Sequence, residues 1–506
     1  MSVATLIYLA LFAPVIGAGL IALSGRNPNL RETVTLATSL VLFATVMGLL
    51  AQVLSGARPG TASIVIFNGV ELGFSVEPLG MIFAVVASGL WIVNSIYSIG
   101  YMRGYDEPRQ TSFYVCFAIA IAGAIGVSFA GNLFTLFLFY EILTLSTYPL
   151  VAHRANAEAI AGGRIYLLML LGTSMGLLLP AIIWTGIVAG TLDFMPGGIL
   201  AGKLGGTALG LLLALYIFGI GKAAVMPVHS WLPAAMVAPT PVSALLHAVA
   251  VVKAGVFTVV KVIVYVFGID LLSTTGASEW LVFVAAFSLL MASLVALTRD
   301  NLKARLAYST VSQLAYVVLG AALATQAAII GSGMQIVMHA TGKITLFFCA
   351  GAIAVATHKT EISDMVGIGR RMPVTMFAFL IGSLSIIGLP PVGGTWSKWW
   401  LGVGAVDAGH AWVVAVLMVS SLLNVAYLLP IVARGFFLPP PEEKSGRPAA
   451  VTEAPAACLI PLCITAALCI VLFFAAGEVE ALLAQLGMVA PTDITAALTK
   501  GEPHGP

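Results

Sequence analysis

The sequence predicts an all-α polytopic membrane protein of about 14 transmembrane helices, with two inverted five-helix repeats and two discontinuous spans, the seventh and the twelfth. Three observations carry this. The 506 residues are 60% hydrophobic and only 9% charged, where a soluble domain is nearer about 25% charged. Apolar runs of about 18 residues or more, long enough to cross a bilayer as a helix, recur along the whole chain. Two of those runs are broken by proline and glycine at matching places, five runs apart.

The runs lie near 4–24, 33–53, 78–100, 113–130, 132–151, 165–189, 207–226, 243–267, 280–297, 305–325, 328–356, 374–401, 411–433 and 455–475. The first lacks a basic leader and a cleavage site, so it is expected to be a retained helix. Spans 1–3 fill residues 1–112. The first repeat, spans 4–8, fills 113–270, and the second, spans 9–13, fills 271–435. A loop, a last helix and a short tail fill 436–506. An odd number of helices per unit turns the second unit upside down.

Lysine and arginine set the orientation. With the N-terminus outside, the loops of one side hold Arg26, Arg31, Arg103, Arg109, Arg154, Arg164, Arg299, Lys303, Arg305, Lys359, Arg370, Arg371, Arg434, Lys444 and Arg447. The other side holds only Arg58, Lys203 and Lys500. The rich side is the cytoplasmic one, so both termini face outward, across the plasma (inner) membrane of a prokaryotic cell.

The remaining basic residues are all lysines inside predicted spans: Lys222, Lys253, Lys261, Lys343 and Lys398. A desolvated lysine can give up its proton near neutral pH, whereas an arginine effectively cannot. Pure lysine is what a proton path needs. Lys261 lies near a helix end, where its stem is expected to stay in lipid while the amine reaches the interface.

The broken runs are GIGKAAVMPVHSWLPAAMVAPTPVS, residues 219–243, and GLPPVGGTWSKWW, residues 388–400. Proline removes a backbone donor and breaks the helical ladder. Unpaired backbone at membrane depth survives only where protein or water covers it. Interrupted segments at matching places in two halves point to a transport site. Lys222 stands in the first and Lys398 in the second.

One acid, Glu141, falls mid-span, in FLFYEILTLSTYPL. Its burial costs about 2.5–3.5 kcal/mol on insertion scales unless it has a partner. Lys222, two spans on, is the expected partner, and such a pair titrates as a unit. His247 and Lys253 sit six residues apart on span 8, hence on different faces. His339 and Lys343, at i and i+4 on span 11, stack on one face. Histidine titrates near neutral pH and suits a relay; His229 belongs to the same broken segment as Lys222. Hydroxyls at Ser146, Thr147, Tyr308, Ser309, Ser312 and Thr341 are candidates to order connecting water.

Net charge is +2 and no solvated basic cluster occurs, so nothing speaks for nucleic acid. The five cysteines lie in apolar runs without a C-x-x-C pair and read as packing residues. There is no phosphate-binding loop, dinucleotide fingerprint or Fe–S pattern, and no cofactor or metal is expected.

These segments together resemble the antiporter-like subunits shared by Mrp-type multisubunit cation/proton antiporters, respiratory complex I and membrane-bound hydrogenases. The resemblance rests on FLFYEIL, on GKAAVMPVHSWLPAAMVAPTPVSALLHAV, on HATGK and on GLPPVGGTWSK. It implies a modulating pair Glu141–Lys222, proton carriers His247, Lys253 and Lys343, and Lys398 ending the half-channel. It implies partner membrane subunits, and protons with Na+ as the transported ions. On its own such a subunit is a secondary transporter and not an enzyme. The alternatives are a proton-pumping subunit of a complex I-type NADH:quinone oxidoreductase or hydrogenase, and a membrane subunit of a bicarbonate-uptake complex. A reading of another class, electron transfer through haem, has at most His247 and His339 as ligands, and a Soret band would reveal it.

Overall fold

The computed structural model describes residues 2–67, 70–440 and 450–486. Lys444, Arg447 and Lys500 therefore lie outside the described residues. Most of the rest is helix. Helices α1 (Val3–Leu23) and α2 (Pro28–Leu54) form an outer pair, followed by a small hairpin of β1 (Ile64–Phe67) and β2 (Val70–Leu72). Then come α3 (Pro78–Gly104), α4 (Gln110–Ser128), α5 (Leu133–Val151), α6 (Ala157–Thr173) and α7 (Leu179–Ala189). Helix α8 (Gly206–Gly219) stops early and is followed by short pieces, α9 (Trp231–Ala234) and α10 (Thr240–Ala244). The middle continues as α11 (Val251–Val262), α12 (Ile269–Thr275), α13 (Glu279–Thr298), α14 (Leu302–Ala322) and α15 (Gln326–Thr357). The last part holds α16 (Ile368–Arg371), α17 (Pro373–Ile387), α18 (Gly394–Asp407), α19 (Trp412–Phe437), α20 (Ala456–Phe474) and α21 (Ala476–Leu483).

Helix starts follow local chemistry. Asn27, Asn132, Asn156, Asn301 and Thr325 each accept a hydrogen bond from the backbone N–H three residues on, the usual way to satisfy an orphan donor at a helix start. Pro28 and Pro78 occupy first-turn positions, where no N–H is needed.

Among the described residues, eleven helices are long and apolar enough to cross a membrane by length and composition. Of the fourteen expected spans, three are not among them. The segment 207–226 contains a helix of only 14 residues, Gly206–Gly219. The segment 305–325 is a 21-residue helix rich in polar side chains, Leu302–Ala322. The segment 374–401 is split into α17 and α18.

The breaks occur where the prolines and glycines stand. After Gly219 the chain makes one tight turn at Gly221–Ala223, holding Lys222. At the other break, Gly388 adopts φ +86, a left-handed conformation that favours glycine. A Cβ there would lie 2.7 Å from the Lys398 side chain. Three further interruptions are π-helical turns, at Ser174–Leu178, Leu245–Val249 and Ile263–Phe267. A single extra residue per turn leaves no trace in hydropathy, and such turns cluster at functional sites.

Two segments form the centre. Thr240–Phe267 and Gln326–Thr357 are the spans whose most apolar windows are wholly buried within the protein. They pack on each other through α10, the turn at Leu245–Val249, α11 and α15. They also carry five of the titratable groups singled out above: His247, Lys253, Lys261, His339 and Lys343.

Candidate functional site

Glu141 and Lys222 lie near each other but are not in contact. Lys222 Nζ donates to the Tyr140 carbonyl at 2.9 Å and to Thr144 Oγ1 at 2.5 Å, and sits over the Tyr140 ring at 3.1 Å. The Lys222 backbone N–H donates to the Tyr140 hydroxyl. The lysine thus grips α5 on both sides of Glu141 in sequence. The Glu141 carboxylate is buried, and neither oxygen has a hydrogen-bond partner. In this conformation, then, the expected ion pair is not closed: neutral acceptors on α5 hold the amine, and the acid stands free beside it.

Helix α11 is pressed onto the Lys222 turn. A Cβ on Gly255 would meet the Ala223 nitrogen at 2.3 Å, so only glycine permits this approach. Two residues before it, Lys253 Nζ meets His339 Nδ1 of α15 at 2.7 Å, fully buried. His339 Nε2 has no partner, and neither ring nitrogen of His247 has one. The His247 ring lies against Phe347, centroids 4.6 Å apart, in the π-helical turn before α11.

One turn along α15, Lys343 Nζ donates to Ser309 Oγ of α14 at 2.7 Å. The Tyr427 hydroxyl of α19 donates to the same Ser309 oxygen at 2.8 Å and is 2.6 Å from Asn424 Oδ1. Across the second break, Lys398 Nζ donates to the Ile387 carbonyl at 2.7 Å and to Ser421 Oγ at 2.9 Å, with the Tyr316 ring 4.9 Å away. Lys398 also lines a cavity of about 790 Å³ between α18 and α19, otherwise mostly apolar. Beside it, Ser397 Oγ donates to Gln335 Oε1 and Gln335 Nε2 donates to Gln313 Oε1. This amide pair joins α18, α15 and α14, and nothing in the sequence pattern singled it out.

The auxiliary groups divide. Ser309 touches a lysine of the line. Ser146 and Thr341 bond to carbonyls of their own helices. Thr147 pairs with the Tyr166 hydroxyl and Ser312 with Ser293. His229 is half-buried, its Nδ1 3.3 Å from the Pro227 carbonyl, and its ring is 6.3 Å from Tyr308. His229 and Tyr308 thus make a small cluster of their own at the edge.

Lys261 overturns an expectation. It does not snorkel: it is 1% exposed, and its Nζ is 3.2 Å from Glu77 Oε1 and 2.9 Å from the Ala130 carbonyl. The helix does not end there, because the π-helical turn Ile263–Phe267 extends it. The 195–200 stretch then covers that end, with Met195 N–H donating to the Tyr265 carbonyl and Ile199 N–H to the Val266 carbonyl. Glu77, the acid of this pair, gave no sequence signal because it precedes Pro78 and reads as loop.

The fold and this interior define a polytopic membrane protein with a line of buried titratable side chains running through its centre. A sequence profile for the family NADH:quinone oxidoreductase/Mrp antiporter, TM, matches residues 130–424. The chain is 33% identical over 411 residues to NADH-quinone oxidoreductase subunit N of Desulforudis audaxviator (strain MP104C), covering 78% of this chain and 80% of that one. It is 30% identical over 436 residues to Hydrogenase-4 component B of Escherichia coli (strain K12), covering 81% of this chain and 63% of that one. Against one of these relatives, then, the match spans less than two thirds of the relative's length. A chain in the Mrp complex from Dietzia sp. DQ12-45-1b shares the fold, with a TM-score of 0.86, 98% of this chain and 100% of that chain covered, and 22% identity. The protein belongs to the antiporter-like membrane subunit family shared by Mrp antiporters, complex I and membrane-bound hydrogenases.

Proposed function

We propose that the chain is the proton-translocating membrane subunit of a multisubunit monovalent cation/proton antiporter of the Mrp type, with Na+ as the counter-ion and other membrane subunits as its partners. The 2.7 Å contact between Lys253 and His339, on the two fully buried spans, carries the reading. Two basic groups that share a hydrogen bond at such a distance cannot both be charged at low cost. At most one of them holds the extra proton at a time and the other is placed to accept it, which is the arrangement a transfer step needs.

The line runs from Lys222 past His247 to Lys253 and His339, then to Lys343 and Lys398. Ser309 and Tyr427 supply hydroxyls beside Lys343. The unpartnered nitrogens of His247 and His339 and the free Glu141 oxygens are buried polar atoms of the kind that require water. Glu141 gates the entry. When the Lys222 amine leaves the Tyr140 carbonyl for Glu141, the pair keeps the lysine charged. When it returns, that stabilisation is lost and the proton moves toward α11. The two broken segments belong to inverted five-helix units, residues 113–270 and 271–435, in a plasma membrane whose cytoplasmic side carries the lysine- and arginine-rich loops.

A second reading is a redox-driven proton pump, favoured by the names of the two relatives, a quinone oxidoreductase subunit and a hydrogenase component. Vesicles containing the assembled complex separate the two. Antiport predicts Na+-dependent proton flux with no redox substrate present. Flux that appears only with a redox substrate, or a Soret band in the pure complex, would overturn the antiporter assignment.

A further inference from the structure

The line of lysines leaves one buried lysine unused, and its surroundings are built with care. Lys261 shares α11 with Lys253. They stand eight positions apart, about 12 Å along the axis. Its Nζ is held by Glu77 Oε1 at 3.2 Å and the Ala130 carbonyl at 2.9 Å, with the Phe194 and Phe257 rings 4.7 and 5.4 Å away.

Glu77 is the opposite of Glu141. It accepts from the Leu79 N–H at 3.0 Å, the Gly80 N–H at 3.1 Å, the Tyr265 hydroxyl at 2.8 Å and Lys261. Both oxygens are therefore satisfied, at the N-terminus of α3, where the helix dipole also favours a negative charge. This carboxylate is held in one position by donors on both oxygens. Tyr265 is the other titratable group facing the pair. The site lies at the end of the molecule closed by the β1–β2 hairpin and the 191–198 loop. Phe194, whose ring lies 4.7 Å from the amine, is half-buried, and its neighbours Asp193 and Met195 are exposed. That end carries Arg58 and Lys203, the lysine- and arginine-poor side.

We infer that Lys261 is a proton port, passing protons between Lys253 and the aqueous phase under the 191–198 loop, with Glu77 holding its amine in place between passages. This rests on the relay proposed above. In each passage one N–H bond breaks on the Lys253 ammonium and one forms on the Lys261 amine, with water carrying the proton between. Lys261 then gives its proton to water beneath Phe194. A brace needs only a cation, whereas a port needs a cation that can let its proton go.

Substitution by arginine and by histidine distinguishes the two. Lys261→Arg keeps a permanent charge beside Glu77, so the acid is not left unpaired, but cannot release a proton. Lys261→His is shorter but exchanges protons readily. Flux is measured in vesicles holding the assembled complex and normalised to the amount of complex, with Lys222→Ala as the control. The port predicts that Lys261→Arg loses roughly 10²-fold or more, the scale of a lost proton-transfer group, while Lys261→His retains clearly more flux than Lys261→Arg. Equal flux in the two variants, or more in Lys261→Arg, overturns the port. If Lys222→Ala is itself silent, the relay as a whole has failed. If Lys222→Ala is inactive and the arginine variant still matches or exceeds the histidine variant, only the port has.

Discussion

His339→Ala tests the centre of the line. The His339 ring is buried, and its Nδ1 is the partner of Lys253 Nζ at 2.7 Å. Removing it leaves a fully buried amine without that bond, at a cost of about 1–3 kcal/mol for an unsatisfied group. Donor and acceptor must approach within hydrogen-bond reach for proton transfer, and a lost transfer group typically costs roughly 10²–10⁴-fold in rate. The stability cost and the rate cost separate in His339→Asn. Its side-chain oxygen takes the place of Nδ1 and accepts from Lys253, but it does not titrate. Dye-monitored proton flux in vesicles, with blue-native gels for assembly, reads both. The expected result is reduced assembly in His339→Ala, restored assembly in His339→Asn, and flux lowered at least roughly 10²-fold per complex in both. Near-normal flux in His339→Asn would show that the contact only holds α11 to α15.

Glu141→Gln should abolish flux with little change in thermal stability, since the carboxylate makes no hydrogen bond that the amide would forfeit; a melting shift of many degrees would count against a free acid. Lys222→Ala should abolish flux and also lower stability by about 1–3 kcal/mol, because it removes the bonds to the Tyr140 carbonyl and Thr144. Ser309→Ala breaks the link between Lys343 and Tyr427; flux should fall while Ser146→Ala, whose hydroxyl bonds only within α5, stays near wild type. Equal effects of the two serine changes in the same flux assay would remove Ser309 from the route.

Much of this was legible in the sequence for a simple reason. An ionisable side chain stands out against a long apolar run, so Glu141, Lys222, Lys253, Lys343 and Lys398 could be found without any fold. The broken segments were legible because proline and glycine have fixed backbone consequences. Contacts between spans were not. Nothing local says that Lys253 meets His339, or that Lys222 chooses the Tyr140 carbonyl over Glu141. Glu77 was invisible because it sits one residue before the helix it caps. Lys261 was misjudged because a π-helical turn and a distant loop, both outside the reach of hydropathy, closed over what looked like a helix end.

The two central spans, Thr240–Phe267 and Gln326–Thr357, touch only protein over their most apolar stretches. They are sheathed like the core of an insulated cable. Acyl chains therefore never border His247, Lys253, His339 or Lys343, and the surrounding lipid can neither wet nor short-circuit them. Throughput should accordingly be indifferent to tail length and unsaturation in the host bilayer, and respond instead to whatever seals or opens the ends.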